Sequence, residues 1–303
     1  MNPVQIKAHA KINLSLDVVG KRDDGYHLLQ MIMQEIGLYD TISVGQNTSG
    51  QISLTNSVSY LPTGPENIAY RAAMLMKSTY GLTSGYAIHI EKHIPVAAGL
   101  AGGSTDAAAV MRAIVKLEQL DVSDQELMTL SLKLGSDIPF CFMGGTALAE
   151  GIGEVLTPIE TDLSYWVLLV KPSLSVSTPH VYKKLKWQEV SFHPNTPAIV
   201  AALEKGEMRE MVSAMGNVLE TVTIAEHPII NTIKKQLITY GAITAQMSGS
   251  GPSVFGLFKR DDVAKKALKN MKRFYQQAYL VRPISRRESH AEQGIGQIVA
   301  KGL

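Results

Sequence analysis

One glycine-rich stretch, PVAAGLAGGSTD at residues 95–106, organises this chain. It follows the segment Tyr86 to Lys92, which predicts a strand, and it leads into an alanine-rich segment that predicts a helix capped by Ser104. Its glycines let backbone N–H groups approach a ligand, because no Cβ stands in the way. A helix N-terminus also favours an anion, so phosphate is a suitable ligand for this loop. The same glycines could merely turn a strand into a helix, and both interpretations stay open here.

The loop matches neither of the two commonest nucleotide motifs. No Gly-Lys-Ser/Thr closes it, so it is not a Walker A loop, and the glycine spacing of a Rossmann fold is absent. If the loop binds phosphate, its backbone geometry differs from that of both motifs.

Two polar residues near the start of the chain share one strand face. Lys7 to Val18 alternates polar and apolar residues, which predicts a strand. Lys11 and Asn13 then point to the same side, about 7 Å apart along the strand. From the alternation alone, an ordinary polar face exposed to solvent is the favoured interpretation of these two residues.

Further candidate functional residues lie in predicted loops. Asp24-Gly25 predicts a chain reversal, and Tyr26 and His27 follow it. A tyrosine ring can stack on a nucleobase, and an imidazole can hydrogen-bond a base edge or a phosphate. Asp137 follows the helix that the capping box at Ser123 opens, and a lone aspartate there is usually a turn residue.

Three motifs together resemble those of the GHMP kinases, a superfamily of small-molecule kinases. They are Pro-x-x-x-Gly-Leu-x-Gly-Gly-Ser-x-Asp-Ala-Ala at residues 95–108, AKINL at 10–14 and SGSGPSVFG at 248–256. Their order and separation cover nearly the whole chain. KRDDGYH at 21–27 and GSDIPF at 135–140 narrow the resemblance to the branch that acts on a cytidine diphosphate-linked methylerythritol.

The resemblance implies a fold and a domain division. We expect an α/β (α+β) two-domain GHMP kinase fold with the active site in the cleft between the domains. The N-terminal domain, residues 1–157, would resemble ribosomal protein S5 domain 2 and carry the ATP-phosphate loop. The C-terminal domain, residues 158–303, would be ferredoxin-like, which agrees with the predicted order strand, helices, strand, strand, helix, strand.

The resemblance also implies a residue for each role. Lys11 and Asp137 are the expected catalytic pair. The expected ATP-phosphate loop is Pro95, Val96, Ala97, Ala98, Gly99, Leu100, Ala101, Gly102, Gly103, Ser104 and Thr105. The expected substrate contacts are Asn13, Tyr26, His27, Thr178, Pro179, Tyr182, Ser248 and Gly249.

The implied reaction transfers the γ-phosphate of ATP to the C2 hydroxyl of the substrate, in the non-mevalonate route to isoprenoid precursors. Mg²⁺ would bridge the phosphates, although the sequence singles out no metal ligand. Asp137 would accept the hydroxyl proton, with Lys11 keeping that carboxylate ionised. Asp106 can satisfy N–H groups of the first helical turn, which we favour, or bind a metal through water.

The substrate's cytosine is expected between two aromatic rings. Tyr182 and Tyr26 are the predicted pair, and stacking on them would add a few kcal/mol at most. Packing of Tyr182 in the hinge between domains explains that residue equally well.

Composition excludes several other classes. The chain has 303 residues, 45% of them hydrophobic, and a formal net charge of +2. A charge so close to neutral predicts no nucleic-acid partner. We expect no membrane partner, a cytoplasmic location, a monomer or homodimer, and a loose polar tail at residues 285–303. The single cysteine, Cys141, is expected to be buried and unreactive.

Three departures from the superfamily pattern and two rival functions remain. Ala101 replaces a common glycine, Thr105 a serine, and His9 a proline. Another kinase of the superfamily, for homoserine or mevalonate, is one rival. A nucleotide-binding regulator without catalysis is the other.

Overall fold

The computed structural model describes residues 3–292, and its first half is built on a six-stranded sheet. Two long antiparallel strands form its centre, and the other strands pair beside them. The six strands are β1 (Val4–Lys21), β2 (His27–Asn47), β3 (Ile52–Asn56), β4 (Gly85–Glu91), β5 (Thr146–Glu150) and β6 (Val155–Pro158). Beyond β1, the end of β2 pairs with β4 and its start pairs with β5, so the path runs β3-β4-β2-β5-β6.

Four helices belong to this half: α1 (Ile68–Tyr80), α2 (Gly102–Glu118), α3 (Asp124–Ser131) and α4 (Ile138–Met143). The apolar faces of α1 and α2 pack with β2 and β4 in one hydrophobic cluster. Small side chains on α2, such as those of Ala107 and Ala108, are buried in it. They bring α2 close to the sheet, which fixes the loop at its N-terminus.

The second half is a four-stranded antiparallel sheet in the order β10-β7-β9-β8. Its strands are β7 (Trp166–Lys171), β8 (Thr244–Met247), β9 (Val254–Phe258) and β10 (Gln277–Val281). Its helices are α5 (Thr178–Lys184), α6 (Thr196–Lys205), α7 (Met208–Ala214), α8 (Glu220–Glu226), α9 (Ile229–Thr239), α10 (Asp261–Met271) and α11 (Arg286–Glu292). The strand order is that of a ferredoxin-like sheet, as predicted.

The two halves share their hydrophobic cores. One cluster joins Leu16 and Met33 of the first sheet to Leu168 of the second, and another joins Ile12 to Phe255. The long strands of the first sheet therefore cover the second. The division between residues 157 and 158 stays a prediction; β6 ends at Pro158, close to that point.

Several element boundaries differ from the prediction. The segment His27–Asn47 is one continuous strand, whereas its sequence predicts two shorter strands, at residues 27–36 and 41–44. The helix opened by the capping box at Ser123 ends at Ser131, whereas the glycine at position 135 predicts an end near Leu134. The helix that the pattern predicts over residues 226–240 begins only at Ile229, as α9, because Glu226 ends α8 and Pro228 stands between the two helices. Proline breaks such a run because it lacks an N–H donor and its ring clashes with the preceding turn.

Part of the predicted loose tail is an ordered helix. α11 packs its buried Ser289 onto the first sheet, where Ser289 Oγ donates a hydrogen bond to Glu35 Oε1 over 3.1 Å. The backbone N–H of Gly145 donates to the same carboxylate. Burial raises the pKa of Glu35, so these donors offset the cost of placing a carboxylate there. The rest of the predicted tail, 293–303, lies outside the described residues.

No helix within residues 3–292 is both long enough and apolar enough to cross a membrane.

Replacing Ser289 with Ala tests the attachment of α11. We expect Ser289→Ala to lower the free energy of unfolding by about 1–3 kcal/mol, because a buried carboxylate loses a donor. Urea denaturation measures the change. Arg287→Ala, at an exposed position of the same helix, is the control and should change stability little. Equal effects of the two variants would show that the Glu35 contact contributes nothing.

Candidate active site

A cleft of about 1190 Å³ lies between the two halves. Both halves contribute predicted site residues to its wall: Lys11, Asn13, Tyr26, His27, all of Pro95 to Ser104, Asp137, Thr178, Pro179, Tyr182 and Gly249. Two predicted residues are absent from the wall. Thr105 is buried in the first turn of α2, and Ser248 is buried behind the wall.

The predicted catalytic pair meets inside the cleft. Lys11 Nζ lies 4.0 Å from Asp137 Oδ2 and donates a 2.7 Å hydrogen bond to Asn13 Oδ1. The Lys11 backbone N–H donates to Leu100 O, which ties the pair to the glycine loop. The Asp137 side chain is 38% exposed whereas that of Lys11 is only 7% exposed. The carboxylate is therefore the more accessible member of the pair, although both line the cleft.

Asp137 owes its position to α4, which it precedes as N-cap residue. At the other end of α4, the buried guanidinium of Arg112 donates to Cys141 O and Phe142 O. These bonds satisfy carbonyls that a short helix leaves unpaired. This role of Arg112 has no signal in the sequence, because an arginine in a long helix is usually solvated.

The glycine loop takes an unusual backbone path. Ala97, Gly99 and Ala101 all have positive φ, at 51°, 73° and 58°. The prediction that Ser104 caps α2 is wrong, because the N-cap residue is Ala101 and Ser104 lies inside the first turn. A left-handed conformation explains why glycine suits position 101, and alanine adopts it at a cost of about 1–2 kcal/mol.

A turn from the second half holds this loop from behind. Ser248 Oγ donates a 3.0 Å hydrogen bond to Gly99 O. A Cβ at Gly99 would overlap the carbonyl oxygen of Ser248. Ser248 thus supports the loop instead of lining the cleft, and the next polar residue, Ser250, reaches the wall and bonds Thr178 Oγ1 over 2.6 Å. The sequence did not single out Ser250.

A buried ion triad lies under the start of the loop. The Lys92 ammonium contacts Oδ2 of both Asp40 and Asp106, at 2.5 and 2.7 Å. The role we favoured for Asp106, bonding to helical N–H groups, is wrong, because Lys92 is its partner. Burial and the nearby Asp40 carboxylate raise the pKa of Asp106. Sequence reasoning missed Lys92 and Asp40, because a single charged residue in or beside a strand is usually solvated.

The far end of the cleft carries an aromatic pair. The rings of His27 and Tyr182 stack with centroids 5.4 Å apart and planes 26° apart. Tyr26 lines the same cleft and is 61% exposed; its place opposite Tyr182 across a bound cytosine stays a prediction. Burial and nearby Lys21 lower the pKa of His27, so its imidazole is neutral at physiological pH and offers one donor and one acceptor. Tyr182 also packs against the core that the two sheets share.

Family comparisons match both halves of the chain. The family "GHMP kinases N terminal domain" matches residues 67–145, and "GHMP kinases C terminal" matches residues 199–277. A 4-diphosphocytidyl-2-C-methyl-D-erythritol kinase of Alkaliphilus metalliredigens is 46% identical over 95% of this chain and 99% of its own. One of Clostridium botulinum is 49% identical over 93% of this chain and 100% of its own. The chain belongs to the 4-diphosphocytidyl-2-C-methyl-D-erythritol kinase family, within the GHMP kinases.

Solved structures agree with this family. The crystal structure of a 4-(cytidine 5'-diphospho)-2C-methyl-D-erythritol kinase matches with a TM-score of 0.79 and 33% identity, over 92% of this chain and 99% of that one. A homoserine kinase from Cytophaga hutchinsonii matches with a TM-score of 0.76 at 17% identity, over 94% and 95% of the two chains. The second match shows the shared GHMP fold alone. The protein is therefore an ATP-dependent kinase with a small-molecule substrate.

Gly99→Ala tests the close approach of the loop and the turn. We expect Gly99→Ala to lower the stability of the kinase by much more than the strain of a positive φ costs, because the new Cβ would overlap Ser248 O. Gly206→Ala is a matched control, since Gly206 has φ +72° with no atom within 4 Å of a Cβ. The control should cost about 1–2 kcal/mol. Thermal unfolding measures both, and equal losses would contradict the contact.

The thiol of Cys141 should resist chemical labelling in the folded protein. Burial, and less strongly Asp137, raise the pKa of this thiol. At about pH 8, close to the ordinary pKa of a thiol, a free cysteine is partly thiolate. The Cys141 thiol should stay protonated at that pH. A chromogenic disulfide reagent should label it only after denaturation with guanidinium chloride. Rapid labelling of the native kinase would contradict a buried thiol.

Proposed function

We propose that this kinase transfers the γ-phosphoryl group of ATP to the C2 hydroxyl of 4-diphosphocytidyl-2-C-methyl-D-erythritol. The products are the 2-phosphate and ADP, in the non-mevalonate route to isoprenoid precursors. One observation carries the proposal: the Lys11–Asp137 pair and the stacked His27–Tyr182 pair line one cleft beside the glycine loop. Phosphoryl-transfer groups and a surface suited to a pyrimidine base thus face the same space.

Proton transfer is assigned to Asp137. Its carboxylate accepts the proton of the C2 hydroxyl while that oxygen forms a bond to the γ-phosphorus and the bond to the β-phosphate bridging oxygen breaks. Lys11, 4.0 Å away, orients the hydroxyl and offsets the negative charge that develops on it. Asn13 holds Lys11 in this position through its amide oxygen.

The ATP phosphates are assigned to the loop from Pro95 to Thr105. Support comes from its place at the N-terminus of α2, where unpaired N–H groups and the helix dipole favour an anion. Positive φ at Ala97, Gly99 and Ala101 turns the backbone in a way that regular structure does not allow, so that successive N–H groups can converge on one anion. Thr105 would contribute as part of the helical turn, not through its buried side chain.

Mg²⁺ would come with the nucleotide. Within residues 3–292, no group of three or more His, Cys, Asp and Glu side chains could hold a metal. This suits Mg²⁺, which is usually bound by one or two carboxylates together with substrate phosphates. Asp106 fits best as the protein ligand, because it lines the cleft and its buried Oδ1 has no hydrogen-bond partner in the described part of the chain. When bound, Mg²⁺ would neutralise charge on the phosphates.

Recognition of the cytidine end is assigned to His27, Tyr26 and Tyr182. The neutral imidazole of His27 can donate to and accept from a cytosine edge. Opening of the His27–Tyr182 stack would give the base an aromatic face, and exposed Tyr26 can cover its other side.

The second half supplies the remaining contacts. Thr178, Pro179 and Gly249 complete that side of the cleft, and Ser248 supports the glycine loop from behind through its hydrogen bond to Gly99 O. A cytoplasmic location and a monomeric or homodimeric state stay predictions.

A substrate panel scored by ADP release tests the assignment. The purified kinase should phosphorylate the cytidyl alcohol in preference to homoserine and mevalonate. Preference for either of those alcohols would reject the substrate. ATP binding without phosphoryl transfer to any alcohol would instead favour a non-catalytic regulator.

Asp137→Asn tests the proton acceptor. We expect turnover to fall at least ~100-fold, because the amide cannot accept the hydroxyl proton. The melting temperature should change little, since the side chain makes no cap hydrogen bond to α4. Asp121→Asn, at an exposed position, is the control for loss of one negative charge. Near-normal turnover in the first variant would remove Asp137 from the mechanism.

A further inference from the structure

A buried asparagine outside the cleft connects three parts of the site. Asn217 lies between α7 and α8, in a short segment that pairs with β1. Leu16 N–H donates to Gly216 O over 2.9 Å, and Val218 N–H donates to Leu16 O over 3.0 Å. These bonds fix the backbone of Asn217 to the strand that carries Lys11.

The Asn217 side chain uses its whole amide on backbone groups. Nδ2 donates to Met247 O at 2.9 Å and to Gly249 O at 2.8 Å, and Oδ1 accepts from Leu219 N–H at 3.0 Å. The two carbonyls stand on either side of Ser248. Only a primary amide has two donors and an acceptor in this arrangement. Asn217 therefore fixes the orientation of this turn relative to β1.

The same turn meets the glycine loop. Ser248 Oγ donates to Gly99 O, and the approach is too close to admit a Cβ at position 99. Gly249, with φ +57°, lines the cleft and lies beside Asn13, the hydrogen-bond partner of Lys11. A shift of the turn would thus be transmitted both to the loop and to the catalytic lysine.

We propose that Asn217 is a positioning residue, which sets the Met247–Gly251 turn against the glycine loop and so holds the loop in the shape that binds ATP phosphates. It touches neither the cleft nor the reacting groups. The inference rests on the proposed role of the glycine loop, but not on the identity of the phosphate acceptor. Misplacement of a site by about 1 Å from a distance can cost about 100-fold in rate.

Asn217→Asp is the decisive variant, since it keeps the shape and the acceptor but loses both donors. It also places a carboxylate against two carbonyl oxygens. We expect affinity for a non-hydrolysable ATP analogue to fall at least ~10-fold in titration calorimetry without acceptor. We also expect turnover to fall by about 100-fold, with the KM for the cytidyl alcohol within about threefold of the original.

Gln34→Glu is the matched control. Gln34 is equally buried, and its amide also donates to backbone carbonyls, those of Glu35, Gly145 and Ile284, away from the cleft. It should lose stability comparably while keeping ATP-analogue affinity and turnover. Asn217→Ser, which keeps one donor and adds no charge, should give an intermediate loss of affinity and decides the matter if Asn217→Asp does not fold.

Three results would overturn the proposal. The first is unchanged analogue affinity in Asn217→Ser and, if it folds, in Asn217→Asp. The second is an equal loss in Gln34→Glu, which would make the effect one of general stability. The third is a wild-type kinase that binds no ATP analogue. Weaker analogue binding by the variants, with a wild-type kinase that ignores the cytidyl alcohol, would support Asn217 and reject only the proposed substrate.

Discussion

The site depends on one close approach between two backbone segments from different halves of the chain. Gly99 of the loop and the carbonyl of Ser248 meet at a distance that excludes any side chain at position 99. The Ser248 hydroxyl completes the contact by donating to Gly99 O. Because the two halves also share hydrophobic clusters, this contact is held by packing on both sides. The contact thus joins the two halves at the cleft, whose walls belong to different halves of the chain.

Buried polar groups do much of the positioning around that contact. Lys92 is paired with Asp40 and Asp106, Arg112 satisfies carbonyls of α4, and Asn217 satisfies backbone groups around the Ser248 turn. Each of these groups would be costly to bury alone, and each is paired with a partner that fixes a loop or a helix end. The residues that face the cleft are therefore held by residues that do not.

The GHMP kinase fold and most of the cleft wall were predictable, since they depend on local patterns and on motifs that are continuous in sequence. The positions of Lys11 and Asp137 in one cleft also agreed with expectation. What failed was long-range detail. Asp106 is paired with Lys92, Ser248 lies behind the wall, and the stack of His27 on Tyr182 has no signal in the sequence. Such pairings depend on how separate segments pack, which no local pattern records.

By itself, the sequence determined the strand that carries Lys11, the glycine loop leading into α2, and the ferredoxin-like order of the second half, because periodicity and glycine content act over a few residues. Only the tertiary structure decided that Lys92 and Ser250 line the cleft and that Arg112 and Asn217 support backbone segments behind it. In the sequence, without their tertiary contacts, these four are ordinary polar residues. Their roles come from burial, which makes a hydrogen-bonding partner obligatory, and the partner is chosen by the fold.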